Sequence, residues 1–187
     1  MIELFRTYVK WKILAHFLAN PNTSFHIKHL ARILNVSPAS VSSAVKSFEE
    51  DGLLSKEEKG LAHIYKLNSD NSVVEPMKKA YGIAFVLSSK PKEKFLEIDS
   101  NIISLALFGS FAEGSFDEKS DIDFLVVTSA KKEIFIQAAK RLEEELEKEV
   151  SLSVLKLSEW RTMAKKGDAF YKRIVENHIL LYGSGIK

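Results

Sequence analysis

Cysteine is missing from the 187 residues. That absence excludes a disulfide scaffold and a thiolate zinc site, and it fits a reducing compartment. Long apolar runs are missing too. None approaches the roughly 20 residues that span a bilayer, so no membrane partner is expected. The opening MIELFRTYVKWK lacks the ordered parts of a signal peptide, and a cytoplasmic location is expected. Glycine (8) and proline (4) are scarce, and neither a low-complexity segment nor a fixed-period repeat occurs. What is there, 45% apolar and 28% charged residues, is the composition of a globular chain long enough for two small domains.

Charge is divided unevenly. Residues 1–90 hold 12 Lys and Arg against 8 acids, and residues 91–187 hold 15 against 17. The skew is strongest over residues 1–48, with six bases and one acid. An anionic partner is therefore expected for the first half.

That half reads as three helices and a hairpin. Leu4, Tyr8, Trp11, Ala15 and Leu18 recur at steps of four and three, one helical face that ends at Asn20-Pro21-Asn22. Ile27, Leu30, Ala31 and Leu34 make a second face, closed by Asn35, a residue that tolerates the left-handed conformation. Phe25 and His26 are alternatively a short strand. Ser37-Pro38 is an N-cap with proline at the first helical position, and Val41, Ala44, Val45 and Phe48 continue that helix towards Gly52. Its outer face is left to Ser40, Ser42, Ser43, Lys46 and Ser47. Small hydroxyl residues with one lysine let a helix approach a nucleic-acid groove closely. After Gly52, two extended runs flank a charged turn containing Gly60.

HLARILNVSPASVSSAVKSFEEDGLL resembles the DNA-reading part of winged helix-turn-helix transcription regulators. The resemblance covers about residues 5–68. It implies double-stranded DNA as a partner, with Ser37 to Phe48 as recognition helix and Lys56 to His63 as wing. The DNA contacts it implies are Ser37, Ser40, Ser42, Ser43, Lys46, Ser47, Lys59 and His63. The other histidines, His16, His26, His29 and His178, have no acidic companions at ligand spacing and are read as structural. Trp11 and Trp160 are read as packing residues.

Residues 71–89 follow as one amphipathic helix with Val73, Met77, Ala80, Ala84 and Leu87 on a face, ending near Ser88. Lys90-Pro91-Lys92 reads as a linker. Such a helix packs on its own domain or pairs two chains, and symmetric operators favour a homodimer.

The second half centres on LFGSFAEGSFDEKSDIDFLVV, residues 107–127. Ile102 to Phe108 is an apolar run broken only by Ser104 and suited to a buried strand. Gly109 and Ser110 follow where the chain turns into a helix. A glycine there removes the side chain that would block a phosphate, and the serine hydroxyl and helix amides can hold the anion. Asp121 and Asp123 sit on the next strand, where a period of two puts both carboxylates on one face. Two such carboxylates, with substrate phosphates, suit Mg²⁺ or Mn²⁺. A phosphate site beside a metal site points to a nucleoside triphosphate and to attack on its α-phosphorus with pyrophosphate leaving.

The stretch is similar to the signature of minimal nucleotidyltransferases of the polymerase-β superfamily: a hydrophobic strand, Gly-Ser, a further glycine, then Ser-Asp-x-Asp. DAFYKRIVENHILLYGSG is similar to the end of such domains, and the resemblance covers about residues 92–185. It implies nucleotide binding by Gly109, Ser110, Gly114 and Ser120, metal held by Asp121 and Asp123, and a protein acceptor such as a toxin partner. The chain departs from the family at two places. Glu113 stands where an arginine is common, and Ser151 falls at the third carboxylate's position, on a strand after a helix read as Lys131 to Lys148. A serine is no general base at neutral pH. Glu149, two residues earlier, is the substitute candidate as third catalytic carboxylate.

The expected fold class is α+β: a winged helix of three helices plus a β-hairpin wing at 1–70, a linking helix at 71–91, and a nucleotidyltransferase-fold domain with a small mixed sheet flanked by helices at 92–187. The expected function is transfer of a nucleoside monophosphate from an NTP to an acceptor by a DNA-associated enzyme. The rival is a transcription regulator whose second domain binds nucleotide or dimerises without catalysis.

Overall fold

A computed structural model describes residues 2, 8–59 and 62–186. The fold is α+β and divides into two compact units, residues 1–84 and 85–187. In the first, helix α1 (Val9–Ala19) buries Ile13, Leu14, Phe17 and Leu18; Leu4, expected on the same face, lies outside the described residues. Strand β1 (Phe25–His26) follows, then α2 (Ile27–Leu34), which ends at Asn35 with φ 50°. Helix α3 (Pro38–Glu50) starts from Ser37, whose Oγ accepts the Ser40 N–H at 3.0 Å, and buries Val41, Ala44, Val45 and Phe48. These are the four apolar positions of its sequence period. Their burial is worth about 1.5–3 kcal/mol for each large aliphatic or aromatic side chain.

Strands β2 (Leu54–Lys59) and β3 (Ala62–Leu67) form the antiparallel hairpin, in register from Leu54↔Leu67 to Lys59↔Ala62. The turn between them, with Gly60, lies outside the described residues. β1 adds to β3 through Phe25↔Tyr65 and His26↔Ile64, so the short-strand alternative for Phe25 and His26 is realised and the sheet order is β1-β3-β2. His16 packs edge-on against Phe25 with ring centroids 4.6 Å apart. Burial, and then His29, lower its pKa.

Helix α4 (Val74–Ser88) forms as expected, but the face read from the sequence is not the buried one: Val73, Ala80 and Leu87 are exposed, whereas Val74, Ala84 and Val86 are buried. Residues 90–92 are not an extended linker. Lys90 turns the chain in the left-handed region (φ 50°), and Pro91 opens α5 (Pro91–Ile98), where a ring with no N–H costs nothing at the first helical position.

The second unit is built on a four-stranded mixed sheet of order β6-β5-β4-β7. β4 (Ser104–Phe108) is buried along its whole length and pairs antiparallel with β5 (Ile122–Val127) and β7 (His178–Gly183); β5 and β6 (Val150–Leu155) are parallel. Short helix α6 (Gly109–Glu113) follows β4 directly. The helix expected over 131–148 is shorter: a 3₁₀ turn, Lys132–Phe135, precedes α7 (Ile136–Leu146), and Glu147 at φ 50° ends it. The tighter turn carries Phe135 into full burial against Phe95, which also packs on Phe124. The opposite sheet face, with Ala106, Phe108, Leu125 and Val127, is covered by Trp160 of α8 (Leu157–Lys166) and Ile174 of α9 (Ala169–Glu176). No helix among the described residues is long and apolar enough to cross a membrane.

Ser37→Ala removes the N-cap acceptor of α3 and is expected to cost about 1 kcal/mol, read as a lower denaturant midpoint at unchanged slope. An unchanged midpoint would show that the cap carries no weight.

Candidate active site

β4 delivers the chain to Gly109 at φ +69°. A side chain at that position meets two obstacles. The left-handed backbone disfavours it, and its Cβ would collide with the Asp123 carboxylate. Glycine is therefore required by the approach of Asp123 itself. Helix α6 closes at Gly114, whose N–H donates to the Ser110 carbonyl at 2.8 Å. Gly114 thus shapes the helix end and does not line the cleft beside it. Phe111 anchors α6 by stacking on Phe116, ring centroids 4.4 Å apart.

Across the sheet, Asp123 pairs with Phe108 on one side and Ser151 on the other. Asp121 immediately precedes β5. With Gly109, Ser110, Ser120, Glu113, Lys119 and Arg173, both aspartates line a cleft of about 410 Å³. Ser120 has a second duty there. Its Oγ donates to Asp117 Oδ1 at 3.0 Å and accepts the Asp117 N–H at 2.9 Å. Lys148 Nζ donates to the carbonyls of Asp117 and Glu118 at 3.2 and 2.6 Å. These bonds hold the loop that presents Lys119 and Asp121.

Burial pushes the Asp123 pKa up, Asp121 and Glu113 push it further, and Arg173 opposes them. Asp123 is thus a half-buried carboxylate among like charges. Two such groups could hold a hard divalent cation whose remaining ligands are substrate oxygens. Among the described residues, no group of three or more His, Asp or Glu is placed to share an ion.

The register sets Ser151 beside Asp123. A second cleft, of about 560 Å³, includes Ser151 and shares Asp123 and Arg173 with the first. Glu149 lines neither cleft. Its carbonyl accepts the Ile122 N–H at 2.9 Å, and its side chain is exposed.

A family model described as "Nucleotidyltransferase domain" matches residues 88–182, just over half of the chain. The chain belongs to that family. A MarR family model matches residues 6–60, so a winged-helix domain is fused to the nucleotidyltransferase domain. No curated protein matches the chain. Among solved structures, a toxin–antitoxin complex with AMP-PNP contains a chain 20% identical, with 51% of this chain and 73% of that one covered at a TM-score of 0.39. A complex of tri-AMPylated Shewanella oneidensis HEPN toxin with MNT antitoxin contains one 15% identical, with 59% and 73% covered at 0.34. Likenesses this weak carry no argument about what the nucleotidyltransferase domain binds.

Arg173 and Lys119 are the cleft residues that sequence reasoning missed. The available signal was on α9, where Phe170 and Ile174 define the inward face and Arg173 sits at its margin. Its guanidinium lies 5.9 Å from the centre of the Phe170 ring. In the winged-helix domain, Ser40, Ser42, Ser43 and Lys46 are exposed on α3, and Ser47 is half-buried. Ser37 and Ser40 are also tied to each other, Oγ to Oγ at 2.8 Å. His63 is exposed on β3, and the Lys59 side chain lies outside the described residues.

The raised Asp123 pKa has a sign. Folding favours the protonated form, a contribution present below the ordinary value of 3.8 and lost as pH rises through the raised one. Asp123→Asn is therefore expected to raise the metal-free melting temperature at pH 7 by a few degrees. A lower melting temperature would show that Asp123 is a structural anion paired to Arg173.

Proposed function

We propose that the protein transfers a nucleoside monophosphate from an NTP to an acceptor hydroxyl while its winged-helix domain holds duplex DNA. The observation that carries this reading is the single cleft holding Gly109, Ser110, Asp121 and Asp123 together with two cations, Lys119 and Arg173. A polyphosphate needs both kinds of group. Amides, hydroxyl and cations meet its oxygens, while paired carboxylates hold the Mg²⁺ or Mn²⁺ that neutralises its charge. Such an ion, when bound, supplies Lewis-acid stabilisation at the reacting phosphate. Ser110 orients the phosphates, and Arg173 offsets the negative charge that Glu113 adds. The acceptor oxygen bonds to the α-phosphorus, the bond to the bridging oxygen breaks, and pyrophosphate leaves.

The acceptor's proton separates this reading from its rival. Ser151 cannot take it at neutral pH, and Glu149 stands outside both clefts, so a nucleotide-sensing regulator is favoured if transfer proves absent. A protein acceptor, such as a toxin partner, and a homodimer belong to the leading reading.

Purified protein incubated with each labelled NTP, Mg²⁺ and lysate from its own source is expected to produce a labelled species that disappears with Asp121→Ala plus Asp123→Ala. Label that survives the double substitution comes from another site. Absence of label with every NTP leaves the regulator. Ser151→Asp is expected to raise the transfer rate at least tenfold at similar nucleotide affinity, since a positioned base contributes about 10²–10⁴.

Lys46→Glu reverses charge on the proposed recognition helix and is expected to weaken duplex binding roughly tenfold, with a shallower salt dependence than wild type. Equal affinity and slope would remove DNA from the reading.

A further inference from the structure

The larger cleft has an unusual lining. From β6 it takes Val150 and Leu152 of one face together with Ser151 and Ser153 of the other. A space that meets both faces of one strand runs along that strand's edge. β6 is the end strand of its sheet, with no strand beyond it among the described residues.

The backbone says which groups point outward. The Glu149 and Leu155 carbonyls accept from Ile122 and Thr128 of the β5 side at 2.9 and 3.0 Å, so the odd-numbered residues of β6 direct their backbone groups to β5. The even-numbered ones face the cleft. Val150 agrees: its N–H donates outward to Glu143 Oε1 at 3.1 Å. Leu152 is the next residue whose N–H and C=O are directed along the same edge.

The cleft is also charged. Lys132, Lys140 and Arg173 outnumber Glu143, whose carboxylate is occupied by Val150, and Asp123 at the inner end. Ser151, in register with Asp123, and Ser153 line the cleft with small side chains on the same sheet face as that carboxylate. Ile136 lines the cleft at 45% exposure, and Ile134, 44% exposed, lies on the 3₁₀ turn that also carries Lys132.

We infer that this cleft docks the acceptor as an extended acidic polypeptide segment, which adds a strand to the outer edge of β6 and directs a Ser, Thr or Tyr hydroxyl over Ser151 towards Asp123. The role as acceptor site rests on the transfer reading above; the docking mode does not. An added strand lies about 10 Å from β5, two inter-strand spacings. A side chain reaching inward on the Asp123 face therefore passes over position 151, where a serine leaves it room. Backbone pairing with the edge supplies affinity, and alternate side chains meet Lys132, Lys140 and the exposed isoleucines.

The test uses the full chain without nucleotide and dye-labelled 12-residue peptides, each with a central Ser, Thr or Tyr and Glu-rich, neutral or Lys-rich flanks. Fluorescence anisotropy is expected to give Glu-flanked peptides at least about tenfold tighter binding than Lys-flanked ones, with the order reversed by Lys132→Glu plus Lys140→Glu. Leu152→Pro, which removes one outward N–H from an edge that tolerates proline, is expected to weaken peptide binding about tenfold while a fluorescent ATP analogue binds within twofold of wild type. Should Leu152→Pro lose the analogue as well, wild type decides, with peptides methylated at alternate backbone nitrogens expected to bind at least tenfold more weakly. Equal binding of all peptides, indifference to both backbone changes, or stronger competition by single-stranded oligonucleotides than by acidic peptides overturns the docking mode. Peptide binding without label from any NTP leaves the docking and removes the transfer; label that ignores Leu152→Pro does the reverse.

Discussion

The Asp123 carboxylate lies where a side chain at residue 109 would have to be. Much else in the second unit serves that approach. It requires glycine at the strand end, fixes the direction in which α6 leaves β4, and brings Ser110 alongside the aspartates. The register Phe108↔Asp123 places strand end against strand start, so turn and carboxylate are set by one pairing. Full burial of Leu105, Ala106 and Leu107 makes a slip of that register costly, because each residue would change face.

The same approach concentrates unfavourable charge. Asp121, Asp123 and Glu113 share a cleft, and among the described residues only Lys119 and Arg173 answer them there. Folding alone gains nothing from this arrangement, as the raised Asp123 pKa indicates. Natural chains commonly depart from the most stable choice where they bind a ligand. A ligand that contributes cations to the aspartates and anions to Lys119 and Arg173 would relieve both sides together.

Local chemistry was the most legible part of the sequence. Ser37-Pro38 marked the start of α3, Asn35 marked the end of α2, and the alternation in DIDFLVV put Asp121 and Asp123 on one face. Each depends on interactions within a few residues. What stayed hidden depends on tertiary contacts. Pro91 permits either a linker or a helix start, and packing of Phe95 against Phe124 and Phe135 selects the helix. The break at Lys132–Phe135 likewise serves Phe135, whose burial no periodicity expressed. Arg173 enters the cleft from an element some 50 residues beyond Asp123 in sequence.

Diffraction from crystals grown with Mn²⁺ and a non-hydrolysable ATP analogue tests the central claim most directly, because manganese is located by its anomalous signal. The account requires a manganese peak in contact with the carboxylates of Asp121 and Asp123, with the triphosphate seated over Gly109 and Ser110 and one of its oxygens near Arg173. An analogue bound elsewhere, or one bound here with no manganese at either aspartate, would contradict it.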